Sequence, residues 1–298
     1  MPRPWGVVLA GGDGTRLHGV TTALTGEPTP KQFCRLLGHK TLLDETIHRL
    51  AGIVDARRTA VLVSAAHQRY YEALRATRPP GLIIEQPMNN GTALGMTFAL
   101  GRIRRTDRDA VVGFFPSDHH YADLSVFREA TSAAYRIAAQ NPDRLVLVGA
   151  TPHSPEQDYG WIEAGPALAW PEADHAVFAV NRFWEKPEAV VANRLFRQRA
   201  LWNTFITVGT VDAFRGALQA TQPELAASLD QIAAAAAGAD EERIVLDAYG
   251  RFPRLCFSAH VLAAAPSRCV AVPLRASGWV DIGRPDRLAD VHRPALSA

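Results

Sequence analysis

The chain alternates short, unbroken apolar runs with longer stretches whose apolar positions recur every three or four residues. Val7-Val8-Leu9-Ala10, Ala60-Val61-Leu62-Val63, Leu82-Ile83-Ile84, Val111-Val112-Gly113-Phe114-Phe115 and Leu145-Val146-Leu147-Val148 predict strands buried on both faces. Between them the spacing predicts helices over residues 42–50, 67–75, 92–104 and 127–139. Strict alternation of strand and helix calls for right-handed crossovers and a mostly parallel sheet, where ligands bind beyond the carboxyl ends of the strands. The loops beginning at Gly11 and Pro116 are therefore the first places to look for a site.

After residue 150 the rhythm changes. Trp161-Ile162-Glu163 and residues 177–184 read as strands with no full crossover helix between them, so this half is α+β. Helices are predicted over 187–197, 211–220 and 223–237, then a strand over 270–274 and a closing helix over 284–292. No Gly/Ser linker, fixed-period repeat or low-complexity tail divides the chain. One domain over residues 1–298, with halves 1–150 and 151–298, is the simplest organisation.

Composition works mainly by exclusion. The 298 residues are 47% hydrophobic and 21% charged, and 32 Lys+Arg against 30 Asp+Glu leave +2, too little for a blanket attraction to nucleic acid. No run approaches the roughly 18–20 apolar residues of a membrane span. Arg3 precedes an apolar stretch that Gly11 and Gly12 soon break, which is not a signal-peptide pattern. Cys34, Cys256 and Cys269 lack CxxC spacing, so neither a disulfide framework nor a zinc site is expected, and a reduced, cytoplasmic setting is.

The first strand runs directly into Leu9-Ala10-Gly11-Gly12-Asp13-Gly14-Thr15-Arg16-Leu17. Glycines at this density expose successive N–H groups to a phosphate, and Arg16 adds a cationic fork, though a plain tight turn has the same composition. Two familiar phosphate motifs fail. A dinucleotide fingerprint needs glycine where Leu17 stands, and a Walker loop needs Gly-Lys-Ser/Thr where the chain has Gly19-Val20-Thr21. Pro28 and Pro30 further oppose an immediate helix. A second cation arrives at Pro30-Lys31-Gln32-Phe33. A lone lysine is usually a solvated surface group, but this one leaves the same strand end as the glycine loop.

Here the chain resembles the sugar-1-phosphate nucleotidylyltransferases, whose signature is Leu-Ala-Gly-Gly-x-Gly-Thr-Arg-Leu followed by Pro-Lys; the Pro-Lys-Gln-Phe form is most similar to the mannose-1-phosphate guanylyltransferase branch. Residues 9–17 match at every specified position. Gly19-Val20 stands where the family usually has Pro-Leu.

Later stretches admit two readings each. Asp118, in Phe115-Pro116-Ser117-Asp118-His119-His120, either caps the next element or binds Mg²⁺ alongside substrate phosphate. The His pair lacks further ligands at transition-metal spacing. Asp281, in Gly278-Trp279-Val280-Asp281-Ile282-Gly283, is too apolar in setting to lack a cation, donor or solvent. In Phe183-Trp184-Glu185-Lys186-Pro187, an adjacent Glu-Lys is ordinarily surface, and Pro187 suits the first turn of a helix.

The resemblance implies more. Its fold is a Rossmann-like, mostly parallel but mixed sheet flanked by helices, a glycosyltransferase-A-like nucleotidyltransferase fold. Residues 1–150 form the nucleotide-binding half and 151–298 an α+β sugar-phosphate-binding half, with no added C-terminal β-helix or cupin domain. The implied reaction moves a nucleoside monophosphate from an NTP, GTP by this branch, to a sugar-1-phosphate, mannose-1-phosphate by this branch. It implies a catalytic set of Arg16, Lys31, Asp118, Lys186 and Asp281, with Mg²⁺ on Asp118 and Asp281. Nucleotide contacts fall on Leu9, Ala10, Gly11, Gly12, Gly14, Thr15, Arg16, Lys31, Gln86, Gly91, Thr92 and Ser117. Sugar-phosphate contacts fall on Tyr159, Gly160, Glu185, Lys186 and Asn203. Trp202-Asn203 begins the family's Trp-Asn-Ser-Gly element but continues as Thr204-Phe205. Partners are then an NTP and a sugar-1-phosphate, with no nucleic acid or membrane, and a homodimer is the commonest assembly to expect. Another sugar such as glucose-1-phosphate, another base, or a non-catalytic nucleotide-sugar-binding subunit remain alternatives. A nicotinamide oxidoreductase falls with the missing third glycine.

Overall fold

The computed structural model describes residues 3–77, 83–170 and 176–292. The elements run β1 (Pro4–Leu9), α1 (His18–Thr25), α2 (Leu42–Leu50), β2 (Thr59–Ser64), α3 (Gln68–Thr77), β3 (Ile83–Gln86), α4 (Thr92–Thr106), β4 (Val111–Pro116), β5 (His119–His120), α5 (Leu124–Gln140) and β6 (Leu145–Ala150). They continue with β7 (Gly160–Leu168), β8 (Val177–Glu185), α6 (Ala189–Arg197), β9 (Leu201–Thr210), α7 (Val211–Thr221), α8 (Pro223–Ala235), α9 (Glu241–Arg251), β10 (Cys269–Leu274), β11 (Val280–Asp281) and α10 (Pro285–His292). Leu82, expected to open the third strand, lies outside the described residues.

Nine strands form one mixed sheet in the order β3-β2-β1-β4-β9-β6-β10-β8-β7. β1, β2, β3 and β4 are mutually parallel, as are β6 and β10, whereas β9 lies antiparallel between β4 and β6. β7 and β8 form an antiparallel hairpin, and β7 pairs back onto the start of β9, curling that side of the sheet. The unbroken apolar runs have a direct explanation. Val7, Leu62, Ile84 and Phe114 face one core with α4, α7, α8 and α9, and Val8, Val61, Val63 and Phe115 face a second core with α2 and α5.

The chain leaves β1 towards β2 and β3, then returns to place β4 on β1's other side, so the strand order reverses between β1 and β4. A crevice opens at such a reversal, beyond the carboxyl ends of the strands. The loops after Leu9 and Pro116 meet there, joined by the Ser117 N–H donating to Leu9 O at 3.3 Å.

Three expectations need correction. Pro28 and Pro30 do not prevent an early helix: a short 3-10 turn (Thr15–Leu17) leads straight into α1, which ends at Gly26 with φ +82°. The prolines lie beyond this stop and so do not clash with it. Pro187 does not open α6, which starts at Ala189 with Glu188 as its N-cap residue. The alanine-rich helix α8 ends at Ala235, two residues short of the expected end.

Candidate functional site

A cavity of about 570 Å³ occupies the crevice, and Leu9, Gly11, Gly12, Arg16, Lys31, Gln86, Gly91 and Thr92 line it from the first half of the chain. The glycine loop is fixed from beneath. Buried Gln32, overlooked within the Pro-Lys-Gln-Phe stretch, donates from Nε2 to Ala10 O at 2.8 Å and to Gly12 O at 2.7 Å. A Cβ on Gly11 would come within 2.3 Å of Gln86 Nε2, so backbone and side chain meet there only because the residue is glycine. Gly14 takes φ +65° beside the Lys31 backbone. Gly14, Thr15, Ala10 and Ser117 do not themselves line the cavity: Ala10 and Ser117 are buried, and exposed Thr15 opens the 3-10 turn. Arg16 is exposed at the mouth.

The carboxylates converge through an element too short for any sequence pattern. β5 and β11 form a two-stranded antiparallel ribbon that pairs Asp281 with His119, and the Ile282 N–H donates to Asp118 O at 3.1 Å. Ligand atoms of Asp118, His119 and Asp281 thereby lie within 4.8 Å of one another. Lys31 Nζ sits 2.6 Å from Asp118 Oδ2 and donates to Ile282 O at 2.7 Å. Burial works against the Asp118 charge, but the Lys31 ammonium, by charge and by hydrogen bond, outweighs it and holds the carboxyl below its ordinary range. Burial has the last word at His119, whose pKa is lowered despite Asp118 and Asp281, leaving a neutral ring.

Which nitrogen of His119 carries the proton follows from its partner. Trp279 Nε1–H can only donate, and it reaches His119 Nδ1 at 3.1 Å. Nδ1 must therefore accept, which puts the ring proton on Nε2, 3.9 Å from an oxygen of each carboxylate. His119 turns an N–H, not a lone pair, towards the pair. The ligand-type atoms left are carboxylate oxygens, a hard set that fits Mg²⁺ better than a transition metal.

Asp281 is braced from α10. Arg287, only 7% exposed, reaches Asp281 Oδ2 at 3.4 Å, Glu156 at 3.2 Å and Asp158 at 3.3 Å. Its guanidinium lies 4.2 Å from the Tyr159 ring centroid. Tyr159 packs among Trp202 and Trp279 and is buried, so it supports the wall instead of lining it.

On the opposite wall Lys186 and Phe205 reach the cavity. Glu185 ends β8 opposite Gly160, where a Cβ would stand 3.2 Å from both Glu185 Oε2 and Asn203 Cβ. Gly160, Glu185 and Asn203 thus meet just behind Lys186. Burial raises the Glu185 pKa, and the neighbouring Lys186 offsets it only in part. Lys186 has φ +46° and Phe205 φ +62°, conformations that cost a non-glycine residue about 1–2 kcal/mol each. Arg254 and Cys256 also line the cavity. No motif marks them; they arrive because Asn90 Nδ2 donates to Tyr249 O and Phe252 O, Ala93 N–H donates to Leu255 O, and the Phe257 N–H donates to Thr92 Oγ1.

A glycine loop, the cations Arg16, Lys31, Lys186 and Arg254 and a pair of carboxylates thus line one cavity at the switch point of a mixed α/β sheet. The family described as nucleotidyl transferase matches residues 5–297, and the chain belongs to it. The xanthan biosynthesis protein XanB of Xanthomonas campestris pv. campestris (strain B100) is 30% identical over 290 residues, covering 96% of this chain and 58% of the relative. The mannose-1-phosphate guanylyltransferase of Klebsiella pneumoniae is 30% identical over 281 residues, covering 93% of this chain and 57% of the relative. The chain thus spans less than two thirds of the length of these relatives. A Thermus thermophilus structure described as mannose-1-phosphate geranyltransferase superposes with a TM-score of 0.79 at 24% identity, over 94% of this chain and 76% of that one, a likeness of fold.

Proposed function

We propose that the chain transfers a nucleoside monophosphate from an NTP to a sugar-1-phosphate, releasing pyrophosphate, with GTP and mannose-1-phosphate as the substrate pair. The observation that carries this reading is the opposition of Arg16, Lys31 and Lys186 to Asp118 and Asp281 around one cavity. The sugar-phosphate oxygen and the departing pyrophosphate are both anionic. The reaction therefore needs charge neutralisation and alignment more than a general base. Arg16 and the Gly11–Thr15 amides hold the β,γ-phosphates, Lys31 turns from Asp118 to the α-phosphate, and Lys186 holds the sugar phosphate. Gln86, Gly91 and Thr92 lie along the base, and Glu185 and Asn203 accept and donate at the sugar hydroxyls. Asp118 and Asp281 would hold the Mg²⁺, which supplies Lewis-acid neutralisation of phosphate charge when bound.

The choice of guanine and mannose is supported by the Pro-Lys-Gln-Phe stretch and by relatives carrying that name. A cytoplasmic location is consistent with three free thiols and with no described helix being long and apolar enough to cross a membrane. A non-catalytic binding subunit has no need of the whole set of charged groups, and the chain keeps all of them. Pyrophosphate release with Mg²⁺, crossing GTP, ATP, CTP and UTP with mannose-, glucose- and galactose-1-phosphate, tests the proposal. Release requiring one sugar phosphate and favouring GTP with mannose-1-phosphate is expected; silence across the grid overturns it.

A further inference from the structure

The strand β9 departs from regular pairing at the cavity. Leu147 and Gly149 of β6 pair with Thr207 and Asn203, so Val148 alone faces three residues of β9. The bulge is pinned on every side. Thr204 Oγ1 donates to Val148 O at 2.6 Å, the Phe205 N–H donates to Asn203 Oδ1 at 3.0 Å, and Thr207 Oγ1 donates to Phe205 O at 3.3 Å. Thr204 and Ile206 are fully buried, and Phe205 between them is partly buried, packing against the first core while lining the cavity along with Lys186. It does so at φ +62°, where a bulky aromatic residue is an outlier and glycine is at ease. A strained conformation fixed this thoroughly at a site is a pointer to function.

We infer that Phe205 is a specificity-determining residue for the sugar. Its side chain, partly buried against the first core, offers the cavity an apolar surface with no hydrogen-bonding atom. A plain hexose-1-phosphate fits against that surface. A hexose-1-phosphate carrying a bulky polar substituent there, such as an acetamido group, is excluded by volume and by loss of hydration. The inference rests on the sugar-1-phosphate reading above and names which members of that class the site admits.

Phe205→Gly and Phe205→Ala test it, and the backbone at +62° suits glycine, so the first is compatible with folding. The readout is kcat/KM for the better of mannose- and glucose-1-phosphate divided by kcat/KM for N-acetylglucosamine-1-phosphate. Both variants should lower this ratio by about tenfold or more, the scale of a reshaped hydrophobic pocket, with KM for the NTP within about twofold. A smaller fall in the ratio, or an NTP KM that shifts as far, overturns the inference. Should the unaltered chain show no turnover, calorimetric titration with the same sugar phosphates separates the two claims. Binding of a plain hexose-1-phosphate by the parent, with the acetamido sugar gained by Phe205→Gly, keeps the inference and sinks the transferase reading. No binding by any form overturns both.

Discussion

One wall of the cavity comes from two stretches close in sequence, residues 9–17, which follow β1, and residues 30–33, which form a short 3-10 turn beyond α1. The facing wall takes Lys186 from the end of β8, Phe205 from a bulge in β9 and Arg254 from the segment after α9. On the first wall, strain is relieved by glycine: Gly14 adopts a left-handed φ without penalty. On the second, Lys186 and Phe205 adopt such angles with full side chains, and surrounding hydrogen bonds keep Phe205 there. Under the proposed reaction, a wall that presents backbone amides to a constant ligand part, the phosphates, suits a local motif. A wall that must present side chains to a variable part suits non-local assembly.

That contrast can be broken by mutation. The largest effect is expected for Asp118→Asn, which removes a carboxylate charge and the ion pair of Lys31 with it; kcat should fall about 10³-fold and the Mg²⁺ requirement should weaken, as read from a metal titration of initial rates. Arg16→Ala should cost roughly 10²–10³ in kcat/KM for the NTP, with the sugar-phosphate KM little changed. If the sugar KM moved as much, the two walls would not be separable.

Gly91→Ala attacks the junction between the walls. A Cβ there would stand 2.2 Å from Leu255 O, and φ is +89°. The chain should lose about 2–3 kcal/mol, seen as a lower midpoint in urea, and NTP affinity should fall as the 249–257 segment shifts. Thr204→Val removes the hydroxyl that reaches Val148 O, and about 1–2 kcal/mol of stability with it, while altering sugar more than nucleotide kinetics.

The smallest effect concerns pH. In the proposed complex Glu185 accepts from sugar hydroxyls more strongly when ionised, and burial raises its pKa. Protonation on lowering the pH therefore begins above the ordinary carboxylate range, and kcat/KM for the sugar phosphate should decline from there. Glu185→Gln should lower the plateau and flatten that limb; an unchanged limb would place the titration elsewhere.

Sequence pattern made most of the fold legible because buried parallel strands are unbroken apolar runs, as in β2 and β6, where every residue is buried. It missed β9, whose Leu-Trp-Asn-Thr-Phe-Ile-Thr-Val-Gly-Thr run interrupts the apolar signal. Thr204 and Thr207 are nonetheless buried, each hydroxyl donating to a backbone carbonyl. The helix α9 passed unnoticed for want of a strong apolar run. The resemblance named Asp118 and Asp281 individually. Their convergence depends on a ribbon of two residues per strand, below the reach of periodicity. Gln32 and His119 lay inside the recognised stretches without a role, while Arg254 and Arg287 carried no signal of their own and are visible only through long-range contacts.

The most direct measurement follows oxygen. With a sugar-1-phosphate bearing ¹⁸O in its three non-bridging phosphate positions, the NTP chosen by the substrate grid and Mg²⁺, mass spectrometry of both products locates the label. Attack of the sugar phosphate on the α-phosphorus predicts every labelled oxygen in the nucleotide sugar and none in pyrophosphate. Label in pyrophosphate or in free phosphate, or nucleotide cleavage that leaves the sugar phosphate untouched, would contradict the account.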